Sequence, residues 1–178
     1  MAAPESSSLW NMEGRWIFHK GLSDSTDALL TLQGQAWWKR QAAGIVTVIE
    51  HIKQSKTPSD VLRYDIELRI SGGFKGGAEW LLDGSEESMN HVNLGRIKSA
   101  SIWSDLSELD DAWLKDDWLI ERSSGPDGLK HIKASVTSEK GGWHLTNVWG
   151  FVNLEGKRYH ARKLLVRRRD KVARCRAH

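Results

Sequence analysis

The chain has 178 residues, which is enough for one domain with a sizeable core. Its composition, 39% hydrophobic and 28% charged, is typical of a soluble globular protein and excludes a disordered chain. The net charge of +3 hides an asymmetry, because residues 157–178 carry ten Lys or Arg against one Asp, whereas the rest is acidic. Since no basic face runs through the acidic part, we expect a solvated basic end and no nucleic-acid partner.

The cysteine count and the N-terminus bear on the compartment. Cys175 is the single cysteine, so no disulfide can form within the chain, which favours a reducing environment. Residues 1–8 contain neither the basic nor the apolar run of a secretory signal, and no segment has the length of a membrane span. We therefore expect a cytoplasmic protein without a membrane partner.

The first part of the chain predicts a flexible leader followed by three strands. The leader covers residues 1–9, and the first strand begins at Gly14 with a Gly-x-Trp triplet that ends at Trp16. Apolar residues at alternate positions predict a long second strand over 29–41, and a third strand, rich in β-branched residues, follows over 45–53.

Period-two alternation is clearest from Leu62 to Ile70, where apolar and charged residues interleave. Apolar residues at helical spacing predict a short helix or lid over about 105–115, because acidic residues come early and Lys115 comes late. The remaining strands are expected over 78–83, 89–99, 118–122, 130–138, 143–154 and 157–168.

These elements predict an all-β fold, a single antiparallel up-and-down barrel of nine or ten strands over residues 10–169. A meander of this length leaves the fewest exposed edges when it closes. Residues 170–178 would form a dispensable basic tail.

Short stretches spread over the chain carry a resemblance to a known family. They are Gly14-Arg15-Trp16, Leu22-Ser23-Asp24-Ser25, Leu32-Gln33-Gly34, Leu81-Leu82-Asp83, Trp149-Gly150-Phe151 and Gly156-Lys157-Arg158. From about Leu9 to Arg167 the chain resembles a group of fungal lipocalin-like proteins. The resemblance implies a calycin-type small barrel that handles a ligand and, in some members, cofactor-free isomerisation or cyclisation. It also implies that Trp16 closes one end of the barrel, with an Arg of the 157–168 strand stacked on its ring. After Leu82 the chain departs from the family pattern, which implies an altered cavity.

Motifs for the common cofactors and metals are not found in the sequence. It contains no Gly-rich phosphate loop, no Cys pair, no His-Glu-x-x-His and no Gly-x-Ser-x-Gly. We therefore expect neither a cofactor nor a metal ion.

Ten Trp against three Phe and two Tyr point to an aromatic-walled cavity or to a thick core. We expect an apolar pocket, because aromatic residues on so many alternating strands would not all fit one filled core. Its predicted walls are Trp38, Tyr64, Trp80, Trp103, Trp149 and Phe151. Core packing is the alternative for each of them.

Four polar residues on predicted strand faces are the catalytic candidates: His91, Asn147, Arg158 and His160. Facing inward, a His can act as general base, and Asn or Arg can stabilise charge on a carbonyl oxygen. Facing outward, they would only be solvated.

The aromatic and polar candidates together suggest a barrel that holds a reactive polyene in a near-attack shape. We expect a cofactor-independent cyclase or isomerase of the Diels–Alder type, acting on a polyketide- or terpenoid-like molecule in fungal natural-product biosynthesis. The alternative is a non-catalytic carrier of a hydrophobic metabolite. A weaker third possibility is a basic-tailed adaptor for nucleic acid or membrane. The oligomeric state is left open.

Overall fold

Ten antiparallel strands make up two sheets in the computed structural model, which describes residues 2–91, 94–121 and 125–178. The strands are β1 (Gly14–Ile17), β2 (Val48–Lys56), β3 (Leu62–Ile70), β4 (Phe74–Leu81), β5 (Glu87–His91), β6 (Gly95–Ser104), β7 (His131–Ser138), β8 (Trp143–Leu154), β9 (Lys157–Arg168) and β10 (Lys171–Ala177). One sheet contains β1 to β4 and the other β5 to β10, in chain order. The all-β class and the up-and-down order are therefore confirmed.

The predicted closure of the barrel is not shown, because among the described residues no ladder joins the edges of the two sheets. The sheets meet instead through isolated contacts at two seams. At one seam Asp83 forms a single bridge with Ile102 of β6. At the other, the backbone N–H of His19 donates to the carbonyl oxygen of His178 at 2.6 Å. The interior of the protein therefore lies between two facing sheets.

Two helices replace the strand predicted over 29–41. They are α1 (Asp27–Leu32) and α2 (Trp37–Ile45). Leu29 and Leu32, three residues apart, both pack against a cluster formed by β8, β9 and β10. That helical spacing, which places both side chains on one face, outweighs the alternate apolar positions that suggested a strand.

The N-terminal segment is part of the core, so the flexible leader predicted over 1–9 is wrong. Ala3, Leu9 and Met12 are all buried between the sheets. The backbone N–H of Ala3 also donates to the carbonyl oxygen of Arg158 on β9 at 2.7 Å. The segment is mostly polar, and only a few apolar side chains hold it in the core. The sequence therefore did not predict its burial.

The basic tail predicted over 170–178 is also wrong, because β10 occupies it and pairs with β9 along its whole length. The inward-facing residues are Ala173, Cys175 and Ala177, and all three are buried. These side chains are small and alternate with basic residues, so the period-two pattern of a half-buried strand resembles the composition of a solvated tail. Deletion of this strand would expose the edge of β9.

The thiol of Cys175 offers a test of this placement. The side chain is buried, and burial raises the pKa of the thiol to about 11. At about pH 8 the thiolate is therefore rare, and we expect Ellman's reagent to react with native protein only at the rate of unfolding. Denaturant should release one rapid equivalent. Immediate reaction of the native protein would instead show residues 171–177 to be a loose tail.

The segment predicted as a short helix or lid does contain helical turns, a 3-10 turn at Leu106–Glu108 and α3 (Ala112–Lys115). It does not lie over the interior. It packs on the outer face of β8 and β9, where it forms a separate apolar cluster. The buried members of this cluster are Leu109, Leu114, Trp118, Val148, Val152, Ala161 and Leu165.

Candidate ligand-binding site

Aromatic side chains from both sheets meet around Trp149 on β8. Its ring centroid lies 4.7 Å from that of Trp80 and 6.0 Å from that of Tyr64. Trp103 and Phe151 belong to the same buried cluster. The structure thus brings together five of the six residues predicted as pocket walls. They pack against one another, so the expectation that they could not share one core is wrong.

Trp38 is the exception among the predicted walls. It lies on α2, where its side chain is 63% exposed to solvent. The prediction assumed that Trp38 lies on an inward-facing strand position. Because this segment is helical, that assumption is wrong.

His160 on β9 is enclosed by three aromatic rings. Its ring centroid lies 5.0 Å from that of Trp149, 5.5 Å from that of Trp16 and 5.8 Å from that of Phe151. Burial lowers the pKa of the imidazole well below 6.5, and the positive charge of Arg162 acts in the same direction. His160 is therefore a neutral imidazole at physiological pH.

The predicted stacking of an Arg on Trp16 is replaced by two other cation–π contacts. The guanidinium carbon of Arg162 lies 3.7 Å from the ring centroid of Trp149, and that of Arg158 lies 3.5 Å from Phe151. The indole N–H of Trp16 donates to the carbonyl oxygen of Met12 at 2.8 Å. Trp16 therefore holds the N-terminal segment by this hydrogen bond, and its ring packs against His160.

An ion pair between Arg162 and Glu50 joins the two sheets through the interior. Glu50 lies opposite Trp16 in the β1–β2 register. Both carboxylate oxygens accept from the guanidinium, one of them at 2.6 Å, and each side chain is less than one-fifth exposed. Such bidentate pairs are strong and fix the geometry of both groups. The pair was missed in the sequence because it depends on which residues face each other across the sheets.

Arg158, a predicted catalytic donor, has a structural position. Its guanidinium donates to both carboxylate oxygens of Glu121, at 2.6 and 2.7 Å. It also donates to the carbonyl oxygens of Pro4 at 3.0 Å and Ser7 at 2.9 Å. Two of these four hydrogen bonds tie the N-terminal segment to β9, and the other two hold Glu121.

Three buried polar atoms on the inner face of β8 and β9 have no hydrogen-bond partner among the described residues. They are Oδ1 of Asn147, Nε1 of Trp149 and Nε2 of His160. Asn147 and His160 are each 9% exposed, and Trp149 is fully buried. An unsatisfied buried polar group costs about 1–3 kcal/mol, so the three atoms on one face make it the candidate position for a polar ligand.

A small cleft lies at the seam between β4 and β6. Its cavity volume is about 20 Å³, which is far below the roughly 300 Å³ of a typical small-molecule pocket. Its inward-facing lining comes from β4, β6 and β7: Trp80, Ser99, Ser101, Ala134 and Val136. Ala134 lies opposite Asn147 in the β7–β8 register, and Trp80 contacts Trp149, so the cleft borders the unsatisfied face.

A second depression, of about 260 Å³, lies on the first sheet. Its lining is mostly charged and includes His51, Lys53, Asp65 and Glu67. It borders none of the three unsatisfied atoms, and its charges suit solvent better than an apolar ligand.

His91, the remaining catalytic candidate, lies apart from the others. It is half-buried on β5, opposite Gly95 of β6. Three strands, β6, β7 and β8, separate β5 from the strand of His160.

The structure places Asn147 and His160 on the same inner face but not in contact, because Asn147 lies opposite Leu164 and His160 lies opposite Phe151. Trp149 was predicted from the sequence only as an apolar wall, and its indole N–H was not considered as a hydrogen-bond donor.

Two buried imidazoles should make the stability depend on pH. Burial lowers the pKa of His131 from 6.5 to about 4, and that of His160 also lies well below 6.5. The unfolded chain therefore binds more protons below about pH 6.5, and the free energy of unfolding should fall as the pH drops from about 6.5 to about 4. For His131 alone the loss is about 3 kcal/mol.

Urea unfolding at a series of pH values measures this dependence. The slope should shrink in a His131→Phe variant and in a His160→Phe variant, each of which removes one titrating group. A free energy of unfolding that stays constant across this range would contradict the buried, neutral state of both imidazoles.

Comparisons with known proteins add relatives and a fold. No family model matches the chain. It is 28% identical to "Pericyclase pydY" of Acremonium sp over 99% of the chain and 94% of that protein. It is 26% identical to "Probable pericyclase scpY" of Mollisia scopiformis over 94% of the chain and 87% of that protein. Apo lipid binding protein 8 of Caenorhabditis elegans shares the fold, with a TM-score of 0.58, 10% identity and 97% coverage of both chains.

Proposed function

We propose that the space between the sheets binds a largely hydrophobic, oxygen-bearing small molecule. We further propose that the protein acts on this molecule as a cofactor-independent cyclase or isomerase of the pericyclase type. The observation that carries the proposal is the set of three unpartnered polar atoms on one aromatic face. The similarity to two proteins named as pericyclases supports the reaction class.

The three atoms define what the ligand must offer. The indole N–H of Trp149 can only donate, so it needs an acceptor such as a carbonyl oxygen. Oδ1 of Asn147 accepts, so it needs an O–H or N–H group on the ligand. A polyene chain with a carbonyl beside a hydroxyl or amide group satisfies both. Arg162 is already neutralised by Glu50, which argues against a simple carboxylate as the anchoring group.

Ring closure by a concerted rearrangement suits such a site, because it forms and breaks carbon–carbon bonds within one molecule without transferring electrons to another. The protein has two tasks in this reaction. The aromatic walls around Trp149 hold the chain in a near-attack conformation, and the indole N–H draws electron density towards the carbonyl oxygen. A neutral His160 can add a second hydrogen bond without introducing a buried charge.

A non-catalytic carrier of a hydrophobic metabolite is the second candidate. The observation that favours it is the fold shared with a lipid binding protein. A carrier needs the walls and the anchors, but it leaves the ligand unchanged.

One experiment distinguishes the enzyme from the carrier. The purified protein is mixed with a linear conjugated polyene that bears an acyl carbonyl and an internal alkene. Ultraviolet absorbance follows the loss of conjugation, and chiral chromatography identifies the product. The proposal expects faster cyclisation than in buffer, with one stereoisomer in excess. Binding without conversion supports the carrier, and neither binding nor conversion contradicts both.

A further inference from the structure

Helix α2 turns its apolar side to solvent. Trp37 is 67%, Trp38 63% and Ile45 80% exposed, and none of the nine residues of the helix is buried. At 3.6 residues per turn, Trp37 and Ile45 lie on the same side of the helix, with Trp38 beside them. Three large apolar side chains thus form one exposed face on a single helix.

The opposite side of α2, which lies towards the protein, carries the polar residues. Arg40 is half-buried, and its Nε lies 2.9 Å from a carboxylate oxygen of Asp27 on α1. Lys39 and Ala43 on this side are also half-buried. A surface helix normally packs its apolar stripe on the core and exposes its charges. The reversed arrangement of α2 indicates that its apolar face has a partner outside the chain.

The charge around this face points to an anionic partner. From Ala28 to Ile49 the chain contains no acidic residue, and the Nζ of Lys39 lies 5.6 Å from the ring centroid of Trp38. Lys20, which is exposed, adds a second positive charge, because its Nζ donates to the carbonyl oxygen of Ile45 at the end of the helix. Cations beside exposed Trp side chains are typical of helices that lie in the interface of an anionic bilayer.

We propose that α2 docks the protein on the surface of an anionic lipid bilayer, with Trp37, Trp38 and Ile45 entering the boundary between headgroups and acyl chains. A second copy of this chain is the alternative occupant, and flotation combined with analytical ultracentrifugation distinguishes it from a bilayer. The docking is peripheral: no helix of the described residues is long and apolar enough to cross a membrane. This replaces the expectation of no membrane partner, and it does not rest on the proposed activity.

Vesicle flotation tests the proposal with the full chain. The wild-type protein should float with vesicles of phosphatidylcholine and phosphatidylserine, less with phosphatidylcholine alone, and less again at high salt. Exchange of both Trp37 and Trp38 for Ala should lower the partition coefficient about tenfold or more. Ile45→Ala should lower it by about threefold, whereas Ile120→Ala, at another exposed isoleucine, should leave it unchanged.

Gln41→Glu provides a variant that removes no apolar contact. Gln41 is exposed on the same side as Trp37, so a negative charge there should weaken binding to the anionic vesicles while circular dichroism and the melting temperature stay unchanged. The proposal is overturned if the wild-type protein does not float or if the double Trp variant floats equally well. It is also overturned if the Trp changes convert a dimer to a monomer, by analytical ultracentrifugation, without affecting flotation.

Discussion

Replacement of Arg162 by leucine should lower the free energy of unfolding by about 3–5 kcal/mol. The variant leaves the carboxylate of Glu50 without its partner at a position that is only 14% exposed. It also removes the guanidinium that lies 3.7 Å from the ring of Trp149 and the link between the two sheets. Urea unfolding at neutral pH measures the loss.

An exposed pair provides the matched control. Arg63 and Glu79 are joined at 2.9 Å, but their side chains are 39% and 50% exposed, so Arg63→Leu should cost no more than about 1 kcal/mol. The double variant Glu50→Leu with Arg162→Leu should recover much of the stability, because neither charge then remains buried. Equal costs for Arg162→Leu and Arg63→Leu would show that the pair across the interior is solvated.

His160→Phe and Asn147→Leu should each slow turnover of the polyene substrate about 10²–10⁴-fold while the fold is retained. Both replacements keep the approximate shape of the side chain and remove the polar atom that has no partner in the described structure. Each should therefore hold or raise the free energy of unfolding, because a buried unsatisfied group disappears. Reduced activity without reduced stability identifies a ligand-facing role.

His144→Phe is the control for these variants. His144 is half-buried on the same strand as Asn147, but one of its ring nitrogens lies 2.8 Å from the hydroxyl of Thr137, so its polar group is already satisfied. Turnover should not change in this variant. If the carrier alternative holds, the His160 and Asn147 variants should alter only the dissociation constant of the ligand. Unchanged turnover and unchanged affinity in both variants would remove these atoms from the site.

Strands with strong local patterns were predictable from the sequence. The predicted bounds of β8 and β9 agree with the structure, and so does the alternation in β3, because one buried and one wet face impose a period of two. The predictions failed where few or small residues do the packing. In β10 the inward residues are alanines and a cysteine, and in α1 two leucines at helical spacing decide the conformation.

The site was predictable only in part, for a related reason. Strand faces follow from local alternation, which grouped Asn147 and His160 each with its own face but left open whether that face points inward; both side chains are buried. Contacts between the sheets depend on long-range register, which no local pattern encodes. The ion pair of Arg162 with Glu50 and the clamp of Arg158 on the N-terminal segment belong to this second kind.

The indole N–H resonance of Trp149 tests the interior site most directly. It can be assigned in a proton–nitrogen correlation spectrum by its loss in Trp149→Phe, and then followed as β-ionone, an apolar ketone, is added. The account predicts a downfield shift and slower solvent exchange as the carbonyl oxygen of the ketone accepts this N–H, with a smaller shift for the corresponding hydrocarbon. An unchanged Trp149 resonance at ketone concentrations that saturate binding would contradict it, because the ligand would then lie away from the three unpartnered atoms.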